Sequence, residues 1–217
     1  MKVQYLLLLC SFVLFFGSCK NATTPDTATI EQLFPMSVGN SWTYHSQSFN
    51  QDGSISKDTT LAWLTITGTQ QYQGHLAYIT AFGGGSDQSL LFYSGSDLMQ
   101  VSSSSPSSAP QSILHYPMNS GSTFTFRDTT YPDGRVDRSL LVLRGKNENV
   151  TVPAGSFSCY HFETLDVYGM PSSLDTGYSE DLYFASNVGW IQGKSYSRNN
   201  GVRYLGSMQS LKSYVVK

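Results

Sequence analysis

Charge is what this chain has least of. Only 13 Lys and Arg and 15 Asp and Glu occur in 217 residues, and no basic run stands out, so a nucleic-acid partner, which needs a basic face, is not expected. Cysteine is scarce as well. There are three; with Cys10 lost in an export signal and Cys19 taken as a lipid anchor, Cys159 is alone and no intramolecular disulfide is expected. The four histidines, His45, His75, His115 and His161, are dispersed, and none has metal-ligand spacing. No nucleophile elbow, phosphate loop or dinucleotide fingerprint occurs, so no metal, cofactor or catalytic set is assigned. Helical periodicity is almost missing too: only Thr29 to Leu33 reads as a helical turn, halted by Pro35.

Long apolar runs are limited to one. Tyr5 to Phe16 follows Lys2 and ends in small Gly17 and Ser18, the layout of a secretory signal over residues 1–18. It stops short of the roughly 20 apolar residues needed to cross a bilayer. Phe16-Gly17-Ser18-Cys19 resembles the lipobox of bacterial lipoproteins, with Phe where Leu is usual. That resemblance implies a chain cut before Cys19 and lipidated on its sulfur, so the expected partner is the membrane. One acyl chain anchors only marginally, at about 0.8 kcal/mol per buried methylene, whereas two hold stably. Residues 19–29 then read as a lipidated tether, reaching at most about 3.5 Å per residue. Lys20 with no acidic run behind it favours an outer-membrane anchor facing the periplasm. Loss of residues 1–18 removes Lys2 alone, leaving 12 basic against 15 acidic side chains, a balance of −3.

The mature chain contains two related halves. "FPMSVGNSWTY" (Phe34 to Tyr44) aligns without a gap on "YPMNSGSTFTF" (Tyr116 to Phe126), matching Pro, Met, Gly and Thr and setting aromatic against aromatic. Turn dipeptides follow each, Asp52-Gly53 and Asp133-Gly134. Further on, "LLFYSGSDLMQ" (Leu90 to Gln100) aligns on "LYFASNVGWIQ" (Leu182 to Gln192). Two matches in the same order point to duplication, with one repeat over 30–100, a Ser/Pro-rich connector over 101–115 too polar to pack, and a second repeat over 116–217.

Each half reads as strand throughout. The expected strands are Ser41 to Phe49, Thr60 to Thr67, His75 to Phe82, Ser89 to Tyr93 and Leu98 to Ser102, then Thr123 to Thr129, Arg138 to Arg144, Ser156 to Val167, Glu180 to Ala185, Trp190 to Tyr196 and Arg203 to Val215. The Asp-Gly pairs suggest type I′ hairpins. Leu61 to Ile66, Leu140 to Leu143 and Phe157 to Phe162 are apolar on both faces, unlike a sheet with one wet face. With no helix to cover them, the second layer must be more sheet. The expected fold is therefore all-β, an antiparallel meander of two related halves forming a curled sheet, barrel or sandwich. A curled sheet would have an aromatic interior, with Trp42, Trp63 and Trp190 as candidate lining.

Several of these segments together resemble a group of bacterial envelope lipoproteins, frequent in the Bacteroidetes, whose mature part opens with Phe-Pro-Leu-x-x-Gly-Asn-x-Trp-x-Tyr. Here Phe34, Pro35, Gly39, Asn40, Trp42 and Tyr44 match, with Met36 in place of Leu. Val152 to Phe157, Tyr183 to Gly189 and Leu211 to Tyr214 follow the later motifs in order. The resemblance implies a β-rich envelope lipoprotein and brings no catalytic residues with it.

One constellation invites chemistry. Alternation along Ser156 to Val167 puts Cys159, His161 and Glu163 on one face, which suggests a thiol nucleophile beside a base. Residues two apart on a strand are about 6.5 to 7 Å apart, too far for an easy thiol–imidazole hydrogen bond. The leading expectation is thus a non-enzymatic envelope lipoprotein binding a hydrophobic ligand or an envelope partner. A structural role in outer-membrane assembly is the alternative, and a Cys159/His161 hydrolase comes third.

Overall fold

A computed structural model describes residues 28–83, 88–102, 108–199 and 201–217, the side chains of 60–63 excepted. The expected signal, Cys19 and the tether up to residue 27 lie outside the described residues. The tether does not reach Thr29, however: Ala28 is buried, and Thr29 caps a single helical turn, α1 (Ile30–Leu33). Its amide is held by Gln32 Oε1 at 2.9 Å, the reciprocal arrangement that Thr-x-x-Gln is suited to form.

Twelve antiparallel strands follow. The first six are β1 (Ser41–Phe49), β2 (Ile55–Tyr72), β3 (His75–Phe82), β4 (Gln88–Ser94), β5 (Asp97–Ser102) and β6 (Gln111–His115). The second six are β7 (Thr123–Thr130), β8 (Val136–Val152), β9 (Gly155–Met170), β10 (Ser173–Ala185), β11 (Gly189–Asn199) and β12 (Val202–Val215). They form one sheet in the order β6-β5-β4-β3-β2-β1-β12-β11-β10-β9-β8-β7. Each half is a meander of neighbours, and the two join where β1 pairs with β12. The sheet curls until β6 and β7 face each other. Across that seam His115 stacks on Phe124, ring centroids 4.0 Å apart and 5° from parallel. The result is an almost closed barrel, in which strands shelter one another as their two-faced apolar runs require.

Alternation fills the interior. Trp42 and Tyr44 on β1, Leu141 and Leu143 on β8, and Tyr160 and Phe162 on β9 are all buried in one core. A second, smaller apolar cluster, including Leu90, Phe92 and Val101, occupies the opposite face of β4 and β5. This is why Leu90 to Phe92 is apolar without a break.

The segments aligned in sequence fall at equivalent places in the two meanders. Gly39 and Gly121 precede the first strand of each half with φ of 92° and 81°. The Gly39 amide donates to the Ile66 carbonyl at 2.8 Å, and the Gly121 amide to the Leu143 carbonyl at 2.7 Å. The two Asp-Gly hairpins also agree. Asn50 and Tyr131 amides donate to Ser54 and Arg135 carbonyls, both at 2.8 Å. Only the glycine of each pair has positive φ, so these are three-residue loops of a type I turn plus a left-handed glycine, not the expected type I′. The primed geometry occurs instead at Gln73-Gly74, with φ of 47° and 85°.

Two further expectations need correction. The connector over 101–115 is narrower: Val101 and Ser102 end β5, and Gln111–His115 form β6 with Leu114 buried; residues 103–107 lie outside the described residues. The strands expected at 138–144 and 156–167 are parts of β8 and β9, of 17 and 16 residues. The added residues, 145–152 of β8 above all, stay paired with β9 up to Val152 and Gly155.

Candidate functional site

The interior is not completely filled. Toward the side where β4, β5 and β6 face β10, β11 and β12, it leaves a cavity of about 550 Å³, within the range of small-molecule sites and open to solvent at a rim where Ile113 and Tyr178 are exposed. Phe34, Tyr44, Leu64, Leu98, Phe184 and Trp190 supply much of its apolar wall. Its polar lining is Gln100, Tyr178, Glu180, Ser195, Ser207 and Gln209; Tyr178 and Ser195 meet at Glu180, and Ser207 is paired with Ser195.

The apolar wall is fixed by contacts between the halves. Tyr44 donates its hydroxyl to the Trp190 carbonyl at 2.8 Å, and the two rings lie 4.9 Å apart. Burial pushes the Tyr44 phenol well above its ordinary pKa, so it remains a donor. Phe34 packs on Trp42 at 5.6 Å and edge-on to Phe184 at 6.5 Å. Its carbonyl accepts the Tyr93 hydroxyl at 2.6 Å. Asn40 is fully buried; its side chain donates to the Pro35 carbonyl at 3.0 Å and accepts the Lys217 amide at 3.0 Å. The opening aromatic segment is thereby locked to the sheet and to the end of the chain.

Of the three expected lining tryptophans, Trp190 lines the cavity. Its indole lies across Gly193, where any side chain would run into it, and its Nε1 donates to the Gln192 carbonyl at 2.8 Å. Trp42 is a correction: it is packed in the core beneath, its Nε1 donating to the Val188 carbonyl at 2.6 Å, and it does not reach the cavity. The Trp63 side chain lies outside the described residues. Cys19, the expected lipid site, does so too.

The polar lining was not expected from sequence. Glu180 and Asp181 look like solvated residues at a strand end, yet β10 sends them to opposite faces. Glu180 joins Leu182 and Phe184 on the cavity wall. Tyr178 and Ser195 both donate to Glu180 Oε1, at 2.6 Å each. Tyr178 is exposed on one side; partial burial, and then the carboxylate it donates to, push its phenol up to about 12. Alternation from Glu180 to Phe184 was the available signal.

Asp181 belongs to a different cluster on the outer face. His161 bonds Glu148 through Nδ1 and Asp181 through Nε2, each at 3.1 Å, and stacks on Tyr183 with centroids 4.5 Å apart. Tyr196 donates to the other Asp181 oxygen at 2.9 Å. Both imidazole nitrogens are therefore engaged by carboxylates rather than by a thiol. Cys159 is fully buried, and its thiol points to the Phe157 carbonyl at 3.7 Å. Burial, helped by the Glu148 charge, pushes its pKa up to about 12, unlike an activated nucleophile. Among the described residues no group of three or more His, Cys, Asp or Glu is arranged to hold a metal ion.

Comparison with known proteins bears on the fold alone. No family model and no curated protein matches the chain. The fold is shared with a Bacteroides fragilis protein. That structure, predicted to be of an exported protein with a YmcC-like fold, superposes with a TM-score of 0.51 at 16% identity, covering 87% of this chain and 100% of its own. A predicted lipoprotein of Parabacteroides distasonis gives a TM-score of 0.46 at 14% identity, with the same coverage.

Proposed function

We propose that this protein is an envelope lipoprotein, of the group its Phe-Pro-Met-x-x-Gly-Asn-x-Trp-x-Tyr segment resembles, that holds an apolar or amphiphilic ligand inside its barrel. The observation that carries the reading is the cavity of about 550 Å³ with an aromatic and aliphatic wall and a few polar groups, Glu180 with its partners Tyr178 and Ser195 among them. Cys19 anchors the chain to the outer membrane on the periplasmic side. The fold shared with a protein predicted to be exported supports this location.

The test is uptake of an environment-sensitive naphthalene dye, with Leu114→Trp as the control. Leu114 lines the cavity, and an indole there occupies the space. Saturable binding by the native protein, lost in the folded variant, supports the reading; equal binding by both refutes it. The anchor is tested separately by Cys19→Ser, which should release the protein from the membrane fraction.

A further inference from the structure

Among the cavity's lining residues there is one formal charge. Glu180 stands there with no Lys, Arg or His beside it. Its Oε1 receives the Tyr178 and Ser195 hydroxyls. Its other oxygen, Oε2, has no donor among the described residues. Glu180 is only partly buried, so this carboxylate is the charged group that a ligand lying along the apolar wall would meet. The other polar lining residues, Gln100, Ser207 and Gln209, are neutral, so the cavity offers one negative site joined to an apolar wall.

We propose that the ligand is a cationic amphiphile: an apolar body carrying a primary ammonium group that Glu180 receives. This rests on the cavity being the binding site. Tyr178 and Ser195 hold the carboxylate in place, so one oxygen is presented to the ligand without further ordering cost. An ammonium donor would form a charge-assisted hydrogen bond with it, of the stronger class. Fatty acids and anionic phospholipids would bring like charge to the same carboxylate and be rejected by it.

The experiment uses the full chain exchanged from detergent into a non-ionic amphipol, with octylamine, octanol and octanoate as probes. Octylamine is fully protonated at neutral pH, as a lysine side chain is. Binding is read by calorimetry and by the protein's tryptophan fluorescence, to which Trp190 on the cavity wall contributes. The inference expects octylamine to bind at least about tenfold more tightly than octanoate, with the difference erased in Glu180→Gln. The wild-type comparison stands even if that variant fails to fold. Equal binding of all three probes overturns the head-group assignment while leaving the cavity reading intact. Binding of none of them overturns the cavity reading itself, and a preference for octanoate overturns the charge argument.

Discussion

The Tyr44 hydroxyl, on the first strand of the first half, donates to the carbonyl of Trp190 on the fifth strand of the second, at 2.8 Å with the rings 4.9 Å apart. The two residues are 146 positions apart, and together they form a wall of the cavity. The bond makes the cavity a product of both meanders. Neither half builds it alone.

Tyr44→Phe keeps the ring and removes this bond. The expected loss is about 1 kcal/mol, the usual net worth of one buried hydrogen bond. A denaturant midpoint moved by that amount with an unchanged slope would agree. No shift would mean that water replaces the hydroxyl without cost.

Gly39 and Gly121 hold left-handed backbone at equivalent turns. Alanine at either should cost about 1 kcal/mol, since only glycine adopts that conformation freely. At Gly39 an added Cβ also meets the Lys217 ammonium at 2.6 Å, a flexible chain end that can move aside. Comparable losses in the two variants are expected from thermal melts. A harmless substitution at one position alone would break the correspondence of the halves.

Cys159 should be inert in the folded protein. Its burial and its pKa pushed up to about 12 leave almost no thiolate at neutral pH. A thiol reagent should label it only upon unfolding. Rapid labelling in native buffer would restore the nucleophile hypothesis.

His161 makes stability depend on pH. Burial pushes its pKa down, but the hydrogen bonds and charges of Asp181 and Glu148 outweigh that and hold it above the ordinary value. A raised folded-state pKa gives stabilisation that is complete below the unfolded value, about 6.5, and is lost as pH rises through the folded one. For Asp181 burial acts upward, while bonds from His161 and Tyr196 bring the pKa below the usual range. Its contribution is present above about pH 4 and fades as pH falls through the lowered value. The cluster is therefore strongest between about pH 4 and about 6.5. Melting curves should show a decline above that window which His161→Gln removes; an unchanged decline in the variant would locate it elsewhere.

Much of the architecture is readable from residue pattern. The bounds expected for β1 and β3 coincide with the observed strands, because alternation there is bracketed by clear turn residues. β6 escaped notice, since five residues inside a Ser/Pro-rich stretch carry only Leu114 as a buried anchor. The outer parts of β8 and β9 carry little strand signal because their cross-strand partners, not their own hydrophobicity, keep them extended. Of the site, Trp190 was visible as an interior aromatic. Glu180 was not, since a carboxylate beside another at a strand end looks solvated until the sheet curls and brings Ser195 and Tyr178 around it.

The central claim is that the barrel holds a ligand. Native mass spectrometry of the full-length protein, extracted gently from its own membrane, tests it directly. The account predicts an added mass of one small amphiphile that is absent from Leu114→Trp. A wild-type protein that carries nothing beyond its anchor, and gains nothing when offered membrane lipid extract, would contradict it.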